Sequence, residues 1–162
     1  MSKTNEAAAL DQTSVIHSTF TLERTFPQPP KKVFQAFADK ETKRRWLIEG
    51  EGWNIHAYDA DFRIGGSDAS RFDYKGGPEL TNDTQYQDIV ADQRIVFSYR
   101  MTMGGKPLSA SLVTVEFTAS GKGTVMTYTE QGAYFDGGME AAKGREEGTR
   151  WLMDRLAAEV AR

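Results

Sequence analysis

Apolar and polar side chains alternate with a period of two from Trp53 to Gln131, a stretch of about eighty residues. Successive side chains of a β-strand point to opposite faces, so this alternation predicts strands with one buried and one exposed face. Turn signals such as Gly65-Gly66 and Gly76-Gly77-Pro78 divide the stretch, and strands joined by short turns pair antiparallel. The predicted strands are residues 53–58, 62–64, 67–74, 81–90, 94–103, 108–118 and 124–131.

Other predicted elements flank this meander. An alternating segment over residues 17–26 predicts one more strand, which ends at a cluster of prolines. Apolar residues at helical spacing predict a short helix over 30–38, and a second helical turn follows at 41–47. Residues 139–162 contain no proline and are rich in Ala, Glu, Arg and Leu, which predicts a long C-terminal helix. The order predicts an α+β fold, with 1–14 as a flexible leader and 15–162 as one domain.

The C-terminal helix is the only predicted element long enough to cover the buried face of the meander. Its inward stripe, taken at a spacing of three or four residues, is interrupted by small and polar side chains. Such residues cannot fill the space above a curved sheet, so the sequence predicts a cavity between the helix and the sheet. The predicted stripe is Met139, Ala142, Arg145, Gly148, Thr149, Leu152, Leu156 and Val160.

Composition excludes several classes of function. The 162 residues include no cysteine, which excludes disulfides, thiolate metal sites and a cysteine nucleophile. The net charge of −3 argues against nucleic acid as a partner, and no apolar run approaches the ~20 residues needed for membrane insertion. The two histidines begin no metal-binding spacing, and the sequence contains no nucleophile elbow or phosphate-binding loop. We expect a cytoplasmic protein without a metal or other cofactor.

Six motifs, which follow one another from about Ser14 to the C-terminus, resemble the START-like, or SRPBCC, superfamily. More narrowly, the chain resembles the bacterial branch that is related to the C-terminal domain of the activator of the heat-shock-protein-90 ATPase. The motifs are FTLERTF at 20–26, PKKVFQAF at 30–37 with Trp46 downstream, DFRIGG at 61–66, YQDIVADQRIVF at 86–97, GTVMTYT at 123–129 and GTRWLMDRL at 148–156.

The resemblance implies a helix-grip fold, in which a curved antiparallel sheet wraps around the long terminal helix and encloses a pocket for an apolar molecule. One position departs from many relatives, which carry an aromatic residue directly after the helix glycine, where this chain has Thr149. The departure predicts a roomier or differently shaped inner end of the pocket.

Inward-facing rows of the predicted strands and the helix stripe supply most candidate ligand-binding residues, and Trp46 and Trp53 flank the segment 49–52, where they could gate the pocket mouth. Most are apolar, and a few polar groups lie among them, which is typical of small-molecule sites. We predict no catalytic residue. The candidates are Trp46, Trp53, Phe72, Tyr86, Phe97, Tyr99, Met101, Val113, Phe117, Met126, Tyr128, Glu130, Arg145, Thr149 and Leu152.

The role of Glu130 has several possible interpretations. The leading interpretation is that it forms an ion pair with Arg145 or Arg155, or is exposed at the end of its strand. A carboxyl group in an apolar cavity has a raised pKa, however, and can act as a general acid or base. Contact with the ligand and catalysis therefore stay open as alternatives.

These features predict a non-enzymatic module that binds a small hydrophobic ligand of the lipid, polyketide or aromatic type. Two other functions stay open. One is a cyclase, aromatase or hydrolase that acts in the same cavity through Glu130 and a tyrosine. The other is a chaperone-interaction module with a role in the stress response, like the activator that the chain resembles. The sequence also leaves open whether the protein forms a homodimer.

Overall fold

A computed structural model describes residues 14–162, so the predicted leader lies outside the described residues except for Ser14. Strands and helices follow one another in the order that the sequence predicts, and several strands are longer than predicted. The elements are β1 (Ile16–Phe26), α1 (Pro30–Ala38), α2 (Lys40–Leu47), β2 (Trp53–Ala60), β3 (Ser67–Tyr74), β4 (Leu80–Val90), β5 (Arg94–Met103), β6 (Lys106–Ser120), β7 (Gly123–Tyr134) and α3 (Gly138–Val160).

The seven strands of the described chain form one antiparallel sheet in the order β1-β7-β6-β5-β4-β3-β2. Strands β2 to β7 form the predicted meander. Strand β1 pairs with β7 along its whole length, from Ile16 opposite Tyr134 to Phe26 opposite Thr124. Prolines end β1, and helices α1 and α2 then carry the chain from that edge of the sheet to β2 at the other edge. The α+β helix-grip fold predicted from the sequence is therefore confirmed.

The predicted strand at residues 62–64 is wrong, because this segment forms a turn before β3. Gly66 donates its backbone N–H to the carbonyl oxygen of Arg63 at 2.8 Å. A Cβ atom at Gly66 would lie 2.3 Å from the carbonyl oxygen of Asp61, so the close approach requires glycine. The side chain of Phe62 points inward and packs edge-on against Phe34. Phe62 thus anchors a turn to the core, whereas Ile64 is 57% exposed.

Helix α3 lies nearest β1 and β7. Its fully buried residues include Met153, Leu156 and Val160, and Asp154 pairs with Arg24 of β1 at 2.7 Å. Most of the predicted inward stripe is buried or half-buried, but Met139 is 52% exposed, and the buried Met153 lies outside the predicted stripe. Because α3 sits over one side of the sheet, it packs less closely on the inner face of β3, β4 and β5.

Candidate functional site

A cavity of about 330 Å³ lies between α3 and the inner face of the sheet. This volume falls within the range of small-molecule sites. Most of the wall is apolar, and residues from β2 to β5, β7, α3 and the end of α2 contribute to it. The lining residues are Leu47, Ile48, Trp53, Phe72, Leu80, Asn82, Tyr99, Met101, Tyr128, Gly144, Arg145, Gly148, Thr149, Trp151 and Leu152.

Aromatic side chains form one side of the cavity. The ring of Trp53, at the start of β2, lies 5.6 Å from that of Phe72 and 6.5 Å from that of Trp151 on α3. Trp151 is 48% exposed, so this side of the cavity reaches solvent. A flat apolar molecule that enters on this side could pack against these rings.

Two glycines of α3 border the cavity where it opens to solvent. Gly144 and Gly148 lie one helical turn apart, and both line the cavity. A Cβ atom added at either position would have no neighbour within 4 Å. Glycine inside a helix costs about 1 kcal/mol relative to alanine, so its use here needs a reason other than helix stability. The free space above the sheet is such a reason.

The carboxylate of Glu130 is buried directly behind Tyr99 and Tyr128, which form the floor of the cavity. Glu130 has 0% exposure and accepts hydrogen bonds from the Tyr99 hydroxyl at 2.7 Å, the Ser111 hydroxyl at 2.8 Å and the Tyr128 hydroxyl at 3.4 Å. It also forms an ion pair with Arg145, whose Nη1 lies 3.1 Å from Oε2. Of the two arginines that the sequence suggested as partners, Arg145 is the one that pairs.

Arg145 connects this buried network to the cavity. Its Nη1 also donates to the Tyr99 hydroxyl at 2.8 Å, and its Nη2 donates to the Ser109 hydroxyl at 2.7 Å. The guanidinium carbon lies 5.4 Å from the ring centres of both Tyr99 and Tyr134, within range of cation–π attraction. Arg145 is therefore held by charge, hydrogen bonds and rings, while part of it faces the open space.

The two tyrosines at the floor keep their protons. Burial raises the pKa of Tyr99 and of Tyr128 well above the ordinary tyrosine value, and the negative charge of Glu130 raises both further. Both hydroxyls therefore remain donors to Glu130 throughout the physiological pH range. The arrangement gives a fixed polar floor beneath an apolar chamber.

Arg155 holds the segment that supplies the end wall of the cavity. Its Nη2 donates to the backbone carbonyl oxygens of Arg45, at 2.7 Å, and Glu49. Leu47 and Ile48 lie between these two carbonyls and line the cavity. Burial lowers the pKa of Arg155 from its ordinary value. The side chain fixes the path of the chain between α2 and β2.

Eight of the fifteen predicted site residues line the cavity, and Glu130 lies directly behind its wall. The remaining six are buried or half-buried but do not line the space. Trp46 packs against Phe37, and Phe117 packs against Phe34 and Phe37 under α1. Alternation predicts which face a side chain occupies but not how far along the sheet the cavity extends. The six are Trp46, Tyr86, Phe97, Val113, Phe117 and Met126; the eight are Trp53, Phe72, Tyr99, Met101, Tyr128, Arg145, Thr149 and Leu152.

Several of the lining residues are not among those predicted from the sequence. Leu80 and Asn82 lie on the inward face of β4, in the same alternating row as Tyr86, so the alternation could have identified them. Gly144 stands four residues before Gly148, the helical spacing that marks one face. Leu47 and Ile48 had no such signal, since Arg155 places them through contacts distant in sequence. Trp151 lies outside the predicted stripe of α3.

A second buried polar cluster lies outside the cavity wall. The Nζ of Lys43, on α2, is 2.8 Å from Oδ2 of Asp68 and 2.8 Å from the Tyr86 hydroxyl, and that hydroxyl also donates to Asp68. All three residues are buried, and Phe62 and Phe97 pack against the Tyr86 ring. Burial, with the Asp68 charge second, raises the pKa of Tyr86.

A larger hollow of about 480 Å³ lies between α1, α2 and the end of α3. Charged residues line much of it, and they already pair with each other: Arg45 lies 2.7 Å from Glu159, which Arg162 also contacts at 3.2 Å. An apolar molecule would meet little apolar surface there. The smaller cavity under α3 is therefore the candidate functional site.

Two further findings concern residues 14–162 as a whole. They contain no group of His, Asp and Glu side chains arranged to hold a metal ion. His56 instead lies 2.6 Å from Asp73. None of the helices in this range is long and apolar enough to cross a membrane.

A curved antiparallel sheet around a long C-terminal helix, with a cavity between them, defines a helix-grip domain. The family model described as "Activator of Hsp90 ATPase homolog 1-like protein" matches residues 27–161. The chain belongs to this family, as the sequence motifs predicted. None of the curated proteins matches the chain.

Solved structures support the assignment. The chain is 64% identical to the Mll3558 protein of Rhizobium loti, with 90% of this chain and 99% of that chain covered and a TM-score of 0.83. It is 35% identical to a protein of Rhizobium leguminosarum, with 91% and 97% covered and a TM-score of 0.86. An AHSA1-like protein of Aeromonas hydrophila is 19% identical, with 89% and 92% covered and a TM-score of 0.66, and shares the fold.

Proposed function

We propose that the protein is a non-enzymatic, cytoplasmic binding module that encloses a small hydrophobic ligand in the cavity under α3. The observation that carries this proposal is the apolar space bordered by Gly144 and Gly148, which no side chain of the described chain fills. The membership of the helix-grip family supports it. The ligand-binding residues would be the lining residues named above.

The size of the cavity sets the affinity to expect. A ligand that buries ~300 Å² of apolar surface gains roughly 7 kcal/mol at 25 cal/mol per Å². That free energy corresponds to a dissociation constant on the order of 10 µM, before the entropic cost of binding is subtracted. Since that cost weakens binding further, we expect micromolar or weaker binding, and not nanomolar binding, for simple apolar molecules.

The geometry favours binding over catalysis. A cyclase, aromatase or hydrolase needs an acid or base in contact with its substrate. Glu130 is completely buried, and Tyr99, Ser111, Tyr128 and Arg145 all donate to its oxygens. It is therefore placed to hold Arg145 rather than to exchange protons with a ligand. The chaperone alternative rests on the family description, and the cavity does not bear on it.

The proposal is tested by screening a library of lipids and aromatic molecules against the purified protein. Bound ligand raises the melting temperature and adds its mass in native mass spectrometry. The matched variants are Gly148→Phe and Glu147→Phe. The side chain of a helical residue leans toward the preceding turn, so phenylalanine at 148 extends over Gly144 into the cavity. Glu147 is exposed and does not line the cavity.

We expect Gly148→Phe to weaken binding at least tenfold and Glu147→Phe to leave it unchanged. Replacing a helical glycine does not remove any packing contact, so the Gly148→Phe variant should fold normally. Equal affinities for the two variants, or a library without a single stabilising ligand, would count against the proposal.

A further inference from the structure

We infer that the ligand is an uncharged, largely apolar molecule whose single carbonyl-type oxygen accepts a hydrogen bond from Arg145. This inference deepens the proposed function and rests on it. It follows from which hydrogen-bonding groups the cavity wall offers and from the charge that already lies behind that wall.

The wall offers donors. A guanidinium group carries five N–H donors. Arg145 donates three of them to Tyr99, Glu130 and Ser109. The other two have no partner among residues 14–162 and are available to a ligand. On β4, the side-chain oxygen of Asn82 accepts from the Thr84 hydroxyl at 3.2 Å, which leaves its amide N–H group as a second donor to the cavity.

The charged acceptor at the cavity is out of reach of a ligand, and the hydroxyl groups of the wall have already donated their protons. Glu130 lies behind the wall with no exposed surface. The Tyr99 hydroxyl accepts from Arg145 and donates to Glu130. The Thr149 hydroxyl donates to the backbone oxygen of Arg145 at 2.8 Å, within its own helix. A ligand that donates a hydrogen bond finds only the remaining lone pairs of neutral oxygens, whereas a ligand that accepts one finds free N–H groups of a charged guanidinium, which form stronger hydrogen bonds.

The buried charge selects against an anion. Glu130 lies 3.1 Å from Arg145 and already balances its positive charge. A carboxylate placed on Arg145 would bring a second negative charge to within several ångströms of Glu130, in surroundings that screen charge poorly. A neutral carbonyl oxygen accepts the same hydrogen bond without that repulsion. We therefore expect ketones, esters or amides to bind better than fatty acids or other carboxylates.

Three probes of nearly equal size separate these possibilities: 2-acetylnaphthalene, 2-naphthoate and 2-ethylnaphthalene. They share one ring system and differ in carrying a neutral acceptor, an anionic acceptor or no acceptor. Dissociation constants come from NMR titrations of the full chain at pH 7. We expect 2-acetylnaphthalene to bind most tightly, with about tenfold weaker binding of 2-naphthoate and several-fold weaker binding of 2-ethylnaphthalene.

Two variants test the cause of this order. Glu130→Gln keeps the shape of the side chain but removes the negative charge, so Arg145 becomes an unbalanced cation. The preference should then reverse, with 2-naphthoate binding more tightly than 2-acetylnaphthalene. Asn82→Leu removes the second donor at a partly exposed position, and should weaken 2-acetylnaphthalene several-fold while leaving 2-ethylnaphthalene unchanged.

The order of the probes in the unaltered protein decides the inference without any variant. If 2-naphthoate or 2-ethylnaphthalene binds most tightly, the inference is wrong while the proposed binding function stands. An unchanged preference in a folded Glu130→Gln protein also overturns it. If none of the three binds, the inference falls, and the library screen with its Gly148→Phe control decides separately on the proposed function.

Discussion

Two buried clusters of this protein contain the same kinds of side chain, a carboxylate, a tyrosine and a basic residue, in different surroundings. Glu130, Tyr99 and Arg145 meet at the floor of the cavity, and the guanidinium still faces open space. The other cluster, formed by Lys43, Asp68 and Tyr86, is closed in by neighbouring side chains and does not border the cavity.

The difference teaches that buried charge alone does not mark a functional site. In the closed cluster every partner is internal, so its ionic contacts fix α2 against β3 and β4. In the cavity cluster the same chemistry leaves donors facing space that a small molecule can occupy. Access to that space separates a candidate ligand contact from a structural ion pair.

The largest expected effect concerns the closed cluster. Lys43→Met leaves Asp68 buried without a counter-ion, which should lower the free energy of unfolding by roughly 3–5 kcal/mol. The affinity for a cavity ligand should not change in the protein that remains folded. Urea denaturation measures the first quantity, and a ligand titration measures the second. Lys40→Met is the matched control, since Lys40 is exposed on the same helix.

A loss below about 1 kcal/mol for Lys43→Met would mean that the closed cluster does not stabilise the fold as described. A clear loss for Lys40→Met would show that methionine on α2 is itself harmful.

A smaller effect is expected at the cavity floor. Arg145→Met should lower the free energy of unfolding by about 1–3 kcal/mol, because Tyr99 and Ser111 still donate to Glu130 and water can enter from the cavity. Urea denaturation again provides the measurement. Arg150→Met, at an exposed arginine one turn from Glu146, is the control and should cost at most about 0.5 kcal/mol. A loss at Arg145 larger than that at Lys43 would contradict the comparison.

The smallest effect involves α2, which connects the two regions because it carries Lys43 and ends at the cavity wall. Asp39 caps this helix: its Oδ2 accepts from the Thr42 backbone N–H at 3.0 Å and from the Thr42 hydroxyl at 2.7 Å. Asp39→Ala should cost about 1 kcal/mol in thermal or urea unfolding, and Asp39→Ser should restore most of it.

The cap should also depend on pH. Hydrogen bonds from the Thr42 side chain and backbone lower the pKa of Asp39 below 3.8, its value without these contacts. A lowered pKa means that this stabilisation is fully present above pH 3.8 and is lost as the pH falls through the folded pKa. The difference between the native protein and Asp39→Ala should therefore shrink below pH 3.8. A difference that grows in acid would refute the assignment.

The sequence predicts the sheet well because alternation is a local property of the chain. It also places Arg145, Gly148 and Thr149 on the inward stripe of α3, and all three line the pocket there. It fails at residues 62–64, where the apolar alternation is short and the Gly65–Gly66 turn decides the conformation.

The extent of the cavity cannot be predicted from local sequence patterns, because it depends on contacts between residues that are distant in sequence. Trp46 and Phe117 are both buried against Phe37 of α1, so neither reaches the cavity, and Trp46 does not stand at its mouth. Ile48 lines the cavity because Arg155, distant in sequence, holds its backbone segment. Such residues are placed by the packing of three helices on one sheet rather than by their own neighbours.

The most direct test of the account is methyl NMR of the methionine side chains during titration with 2-acetylnaphthalene. Met101 lines the cavity, whereas Met126 is buried in the core outside it and Met139 is exposed. The account predicts a saturable shift of the Met101 methyl signal, with the Met126 and Met139 signals nearly unchanged. A saturable shift of Met139 without one of Met101 would place the ligand on the surface and contradict the central claim.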